Sequence, residues 1–155
     1  VQLAASAVPG SGRGLVASQA IGKGEALLHI PQQLLLTPAV AQQRSALLGL
    51  LEGRPLPAWS VLALWLAEAR AAGPAGVWWP YLQLLPQRAG CVLEWTPDEV
   101  AWLRGSQLHT AATDIRAAAE ASWQEMQPLL GAAEQLGLGS PGAFSRGALQ
   151  WAFAI

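Results

Sequence analysis

Two short apolar runs set the pattern at the start of the chain. Leu15-Val16-Ala17 follows a glycine-rich turn (Gly10, Gly12, Gly14). Ala26-Leu27-Leu28-His29-Ile30 follows a second turn, Ile21-Gly22-Lys23-Gly24, and is stopped by Pro31. Short β-prone runs punctuated by glycine predict two strands joined by a turn. His29 falls inside the second run, where a neutral, hydrogen-bonded structural histidine is expected.

From Thr37 onward the spacing becomes helical. Thr37-Pro38 is an N-cap followed by proline at the first helical position, predicting a helix from Ala39 towards Leu51, ended by Gly53-Arg54-Pro55. Pro57 opens a second helix with Trp59, Leu62, Ala63, Leu66 and Ala69 on one face. Val61, Leu64 and Trp65 make its other side apolar too, so burial on most faces is expected. Ala72-Gly73-Pro74-Ala75-Gly76 breaks it. The aromatic stretch Val77 to Pro86 reads as core filling, with indole N–H groups bonded to the backbone, rather than as a ligand cage.

Thr96-Pro97-Asp98-Glu99 has the form of a capping box, predicting a helix from Pro97 to about Arg104. A longer helix is expected from Ala111 to Gln127, with Ile115, Ala118, Ala119, Ser122 and Met126 along one side, and a loop from Gly131 to Pro141. Phe144 and Leu149 flank Ser145 as a hydrophobic staple around an N-cap. The last helix, carrying Trp151-Ala152-Phe153-Ala154-Ile155, stops without a cap, which reads as a fragment. The fold class expected is therefore α+β, with strands in residues 1–37, a helical region over 38–143 and a final helix beginning at 144–155.

Composition narrows the function classes. The chain has 155 residues, is 52% apolar and only 12% charged, and holds eight tryptophans, which argues for a packed globular body. A net charge of −1 and scattered arginines leave no basic stripe for a phosphate backbone, so nucleic acid is not an expected partner. The longest apolar run, Val61 to Ala67, is too short to span a bilayer, so no membrane partner is expected either. Cys91 is the only cysteine, which rules out a disulfide framework or a cysteine-ligated zinc within the chain.

Candidate chemistry is sparse. Gly12-Arg13-Gly14-Leu15-Val16-Ala17 has the form G-x-G-x-x-A, but the glycines precede the β-prone run and no helix opens among them, so a dinucleotide site is excluded by context. His109 lies near Ser106 and Asp114 without a nucleophile elbow. Asp98 and Glu99 are accounted for by helix capping, and no paired metal-ligand spacing occurs. What remains is a glycine turn whose missing side chains let backbone groups approach a ligand.

The stretch G-R-G-L-V-A-S-Q-A-I-G-K-G-E-A-L-L-H-I-P, from Gly12 to Pro31, resembles the first strands of a SET domain of the plant Rubisco large-subunit methyltransferase type. That branch begins with G-x-G-L-x-A followed by I-x-x-G-E-x-x-x-x-(V/I)-P. Three later segments are similar to its helical insert in order and spacing: Trp79-Pro80-Tyr81-Leu82 to Leu85-Pro86, Trp95 to Glu99, and Leu103 to Leu108. Trp151 to Ile155 resembles the start of its W-A-F-x-I-x-x-S-R helix.

The resemblance implies transfer of a methyl group from S-adenosylmethionine to a protein lysine. The donor would lie partly against the backbone of Ser11, Gly12, Arg13 and Gly14; some relatives carry an acidic residue where this chain has Ser11. It also implies that the substrate lysine enters through a narrow channel from the opposite side, that no metal is needed, and that a chloroplast address goes with the plant branch, with cytoplasm or nucleus as the alternatives. The Ser-Arg pair, Asn-His motif and late tyrosine of the family would lie beyond Ile155, so no catalytic residue is assigned within this chain. Tyr81, its only tyrosine, sits in a different motif. A non-catalytic SET-derived interaction module and a protein-histidine methyltransferase are the alternatives.

Overall fold

A computed structural model of the chain describes residues 3–10, 12–138 and 142–155. It divides into two compact units, Val1–Leu35 and Leu36–Ile155. The fold is α+β: one two-stranded antiparallel sheet among the described residues, followed by helices.

The first unit holds a hairpin of β1 (Leu3–Val8) and β2 (Gly12–Ala17), in which Leu3 faces Ala17 and Val8 faces Gly12. The expected strand at Leu15–Ala17 is therefore present and begins three residues earlier. The expected strand at Ala26–Ile30 is not: that segment has no ladder partner among the described residues. Its place beside β2 is taken by Leu3–Val8, whose alanines and serine carry little β-propensity. His29 accordingly lies outside any strand and is exposed, which corrects its expected structural role. The second glycine turn does form, with the Glu25 N–H donating to the Gly22 carbonyl at 3.1 Å. Gln32–Leu34 then makes one 3₁₀ turn after Pro31.

The second unit is helical. Thr37 caps α1 (Pro38–Arg44), accepting from the Val40 N–H at 3.3 Å. The single helix expected to reach Leu51 is interrupted at Ser45, which adopts an extended conformation and caps a separate α2 (Ala46–Leu50) through the Leu48 N–H at 2.9 Å. The interruption is held from elsewhere in the chain. Glu68 of α3 (Ala58–Ala71) accepts from the Ser45 hydroxyl and from the Ala46 and Leu47 N–H groups at 3.1 and 3.3 Å. A carboxylate on those unpaired N–H groups stabilises the start of α2.

α3 is the centre of the core. Val61, Ala63, Leu64, Trp65, Leu66 and Ala67 are all buried, as expected of a helix apolar on most faces. α1, α2 and α7 (Arg146–Ala154) pack around it. After the 3₁₀ turn Gly73–Ala75 comes the short α4 (Trp79–Leu82). Its region fills the core only in part. Leu82 is buried and Trp78 meets Trp65 edge-on at 5.2 Å, but Val77 is 89% exposed and Leu84 53%.

The box at Thr96 starts α5 (Pro97–Ala101): the Thr96 hydroxyl accepts from the Glu99 N–H, and the Glu99 carboxylate accepts from the Thr96 N–H at 2.7 Å. α6 (Gln107–Gln135) is much longer than expected and passes through Pro128. Its sheltered stripe is Ala112, Arg116, Ala119, Trp123, Met126, Leu130 and Ala133, spaced alternately by four and three. The expected stripe was rotated by about one residue, and Ile115 is 51% exposed. Continuing past Pro128 costs one helical hydrogen bond, which burial of Leu130 and Ala133 offsets. Glu134 then accepts from the Gly142 and Phe144 N–H groups, so the expected loop starts only after Gln135. Ser145 caps α7 through the Ala148 N–H, with the staple residues Phe144 and Leu149 both buried.

Candidate functional site

The glycine turn closes the hairpin. Residues 9–11 connect Val8 to its partner Gly12, and both Gly10 (φ 75°) and Gly12 (φ 74°) occupy the left-handed region that L side chains avoid. Of the four expected donor-binding residues, Ser11 lies outside the described residues. An added Cβ at Gly12 would meet nothing within 4 Å, so backbone conformation rather than crowding requires glycine there. At Gly14 the constraint is steric: an added Cβ would sit 3.3 Å from Val8 Cγ2. Arg13, opposite Ala7, is exposed.

A two-stranded ladder uses one side of each strand. Alternate residues of β2 direct N–H and C=O groups away from β1, and no further strand pairs with them among the described residues. The turn thus offers backbone donors and acceptors beside two positions that lack side chains. That arrangement suits a ligand held by main-chain contacts.

The residues of the later motifs do something different: they tie the helical unit together. Trp151 donates its indole N–H to the Pro86 carbonyl at 2.9 Å, and the Arg70 guanidinium stacks over the same ring at 4.1 Å. Gln150 donates to the Leu93 carbonyl in the 3₁₀ turn Val92–Glu94. Arg116 donates to the Val92 and Trp95 carbonyls at the two ends of that turn. Three segments far apart in sequence are joined through main-chain oxygens. Trp95 likewise donates its indole N–H to the backbone, to the Gly90 carbonyl at 3.3 Å; both tryptophans lie outside the Val77–Pro86 stretch for which such bonds were expected. Arg116, Gln150 and Glu68 were not singled out from the sequence. Their only local signal is a polar residue on an otherwise apolar helix stripe.

His109 and Ser106 are not brought together through their side chains. The Ser106 hydroxyl donates to the Leu103 carbonyl at 2.7 Å, and His109 is linked to Ser106 only through its backbone N–H. Tyr81 stands 6.3 Å edge-on from Trp78 and lines an apolar cleft of about 270 Å³ with Trp59, Leu62, Phe153 and Ile155. Among the described residues no cluster of histidine, cysteine or carboxylate side chains could hold a metal ion, and no helix is long and apolar enough to cross a membrane. The acidity of Glu99 is clearly shifted. Hydrogen bonds from the Thr96 backbone and side chain hold it below the usual glutamate value, with a smaller contribution from Arg88.

No family model matches the chain. Curated proteins do. It is 32% identical to the [fructose-bisphosphate aldolase]-lysine N-methyltransferase of Arabidopsis thaliana over 74% of this chain and 23% of that protein. It is 26% identical to human SET domain-containing protein 4 over 97% of this chain and 34% of that protein. It is 27% identical to the ribulose-1,5-bisphosphate carboxylase/oxygenase large-subunit N-methyltransferase of Nicotiana tabacum over 75% of this chain and 23% of that protein. The two plant proteins are named chloroplastic, and the chain spans about a quarter to a third of the length of these relatives. The chain is therefore similar, over their N-terminal part, to SET-domain protein-lysine methyltransferases of the Rubisco large-subunit methyltransferase-like branch.

Proposed function

We propose that the chain is the N-terminal portion of a protein-lysine N-methyltransferase that takes its methyl group from S-adenosylmethionine and acts on a non-histone protein. The observation that carries this reading is the glycine turn, Gly12 and Gly14 flanking Arg13 at the start of β2, in a chain related to lysine methyltransferases. The positive φ at Gly12 and the open space beside it allow a ligand to approach main-chain donors and acceptors closely, while glycine at 14 makes room for the Val8 side chain. Ser11, Gly12, Arg13 and Gly14 would hold part of the donor there. The sulfonium donor supplies an electrophilic methyl when bound, and the acceptor amine must reach it uncharged, which a water-poor channel favours.

These contacts are a fraction of what a whole donor molecule needs. Each missing charge-assisted hydrogen bond weakens binding by about 1.5–3 kcal/mol, which takes a micromolar site towards millimolar. Residues 1–155 alone are therefore expected to give no measurable heat with S-adenosylmethionine in calorimetry and no turnover. A full-length polypeptide containing this chain is expected to bind the donor and to label a protein acceptor with radioactive methyl. Fructose-bisphosphate aldolase and the Rubisco large subunit are the first two acceptors to try, being the proteins named for the plant relatives. In that polypeptide Gly12→Val should weaken donor binding about tenfold or more, a change of 1.4 kcal/mol or greater. His109→Ala should leave turnover unchanged. Absence of donor binding by the full-length polypeptide sinks the reading; loss of turnover in His109→Ala with none in Gly12→Val overturns the site.

A further inference from the structure

The chain's nine cationic side chains are eight arginines and one lysine, Lys23. Its setting is specific. Lys23 is the second residue of a turn from Gly22 to Glu25, closed by the Glu25 N–H on the Gly22 carbonyl at 3.1 Å. Gly24, the third residue, has φ 85°, the signature of a type II turn. The Glu25 carboxylate closes the turn a second time by accepting from the Gly22 N–H at 2.8 Å. Lys23 is exposed, and both of its neighbours are glycine.

A lysine that donates its amine to a methyl sulfonium must insert its whole four-carbon stem into a narrow passage, so bulky neighbours collide with the rim. Gly-Lys-Gly at the corner of a doubly closed turn removes those neighbours and fixes the direction in which the stem leaves the backbone. A turn already held by two hydrogen bonds also loses little conformational entropy on docking. Resting on the reading of the chain as part of a protein-lysine methyltransferase, we propose that Lys23 is itself a methyl acceptor, so that the enzyme modifies its own chain. The amine first releases its ammonium proton to water. Its lone pair then forms the N–C bond to the sulfonium methyl as the C–S bond breaks, and that electron pair stays on sulfur as a neutral thioether.

The test uses the full-length polypeptide with deuterated-methyl S-adenosylmethionine, with aldolase and the Rubisco large subunit present as external acceptors. Cleavage at arginine yields the peptide from Gly14 to Arg44, in which Lys23 is the only lysine. We expect that peptide to gain one or more labelled methyl groups. Lys23→Arg should lose that label completely while donor binding and labelling of any external acceptor stay as in the wild type. Label on an external acceptor with none on this peptide overturns the inference and leaves the methyltransferase reading standing. Donor binding with no label on the peptide overturns it equally. Absence of donor binding removes both.

Discussion

The two units solve the problem of burying apolar surface in opposite ways. Residues 36–155 contain every buried residue described, centred on α3, where Leu64 is 0% exposed and its neighbours are nearly so. Residues 3–35 contain none. There Leu15 is 63% exposed, Leu28 54%, Ile30 56% and Leu34 55%, although these are among the most apolar positions of the segment. The first unit is thus organised by turns, glycines and one hydrogen-bonded ladder, the second by packing. The difference teaches where the local stability resides: hydrogen-bonded hairpins of two strands are marginal by themselves, whereas the helical unit carries a core able to support cooperative unfolding.

The sharpest test compares one leucine from each unit. Leu64→Ala opens a cavity in the core and should cost about 2–5 kcal/mol, whereas Leu15→Ala, at an exposed hairpin position, should stay within about 0.5 kcal/mol. Chemical denaturation of both variants checks this, and equal effects would abolish the distinction. Native-state hydrogen exchange reads the same contrast without mutation. Amides of Leu64 to Ala67 should exchange only on global unfolding and those of Leu3 to Ala17 far sooner; equal protection in the two segments would break the comparison.

A smaller effect is expected where the helical unit depends on a polar contact. Glu68→Ala leaves the Ser45 hydroxyl and the first N–H groups of α2 without their acceptor, and should cost about 1–3 kcal/mol. A loss confined to the first unit in that variant would contradict the assignment. Thr96→Ala removes an N-cap and should cost about 1 kcal/mol in the same denaturation assay. The smallest effect is a pH dependence. Glu99 is held below its usual value when folded, so its contribution is fully present above about pH 4.3 and is lost as the pH falls through the lower folded value. Acid titration of Glu99→Gln should lack that component.

Local chemistry was the legible part of this chain. The caps at Thr37, Thr96 and Ser145 act over three residues, and each formed as its spacing predicts. The apolar faces of α3 were readable for the same reason, since they repeat within one helix. What escaped reading acts at a distance. The break at Ser45 is sustained by Glu68, 23 positions away, and the rotation of α6 is sustained by Arg116 reaching back 24 positions to Val92. A guanidinium on the sheltered stripe looks like an interruption until its carbonyl acceptors are known. β1 escaped for a different reason, because its run of three alanines and one serine between Leu3 and Val8 carries no pattern that distinguishes strand from coil. The glycine turn was legible as a shape. Its positive φ values agree with that shape, while its ligand enters only through the relatives.

Four bonds between the helical motifs end on main-chain oxygens: Trp151 on Pro86, Gln150 on Leu93, and Arg116 on Val92 and Trp95. Every amino acid carries such an oxygen. The contact therefore constrains the identity of one partner and leaves the other free, so mutational drift is asymmetric across each pair. A lineage can change residues 86, 92, 93 and 95 without erasing these bonds, whereas residues 116, 150 and 151 each hold information that no neighbour can supply.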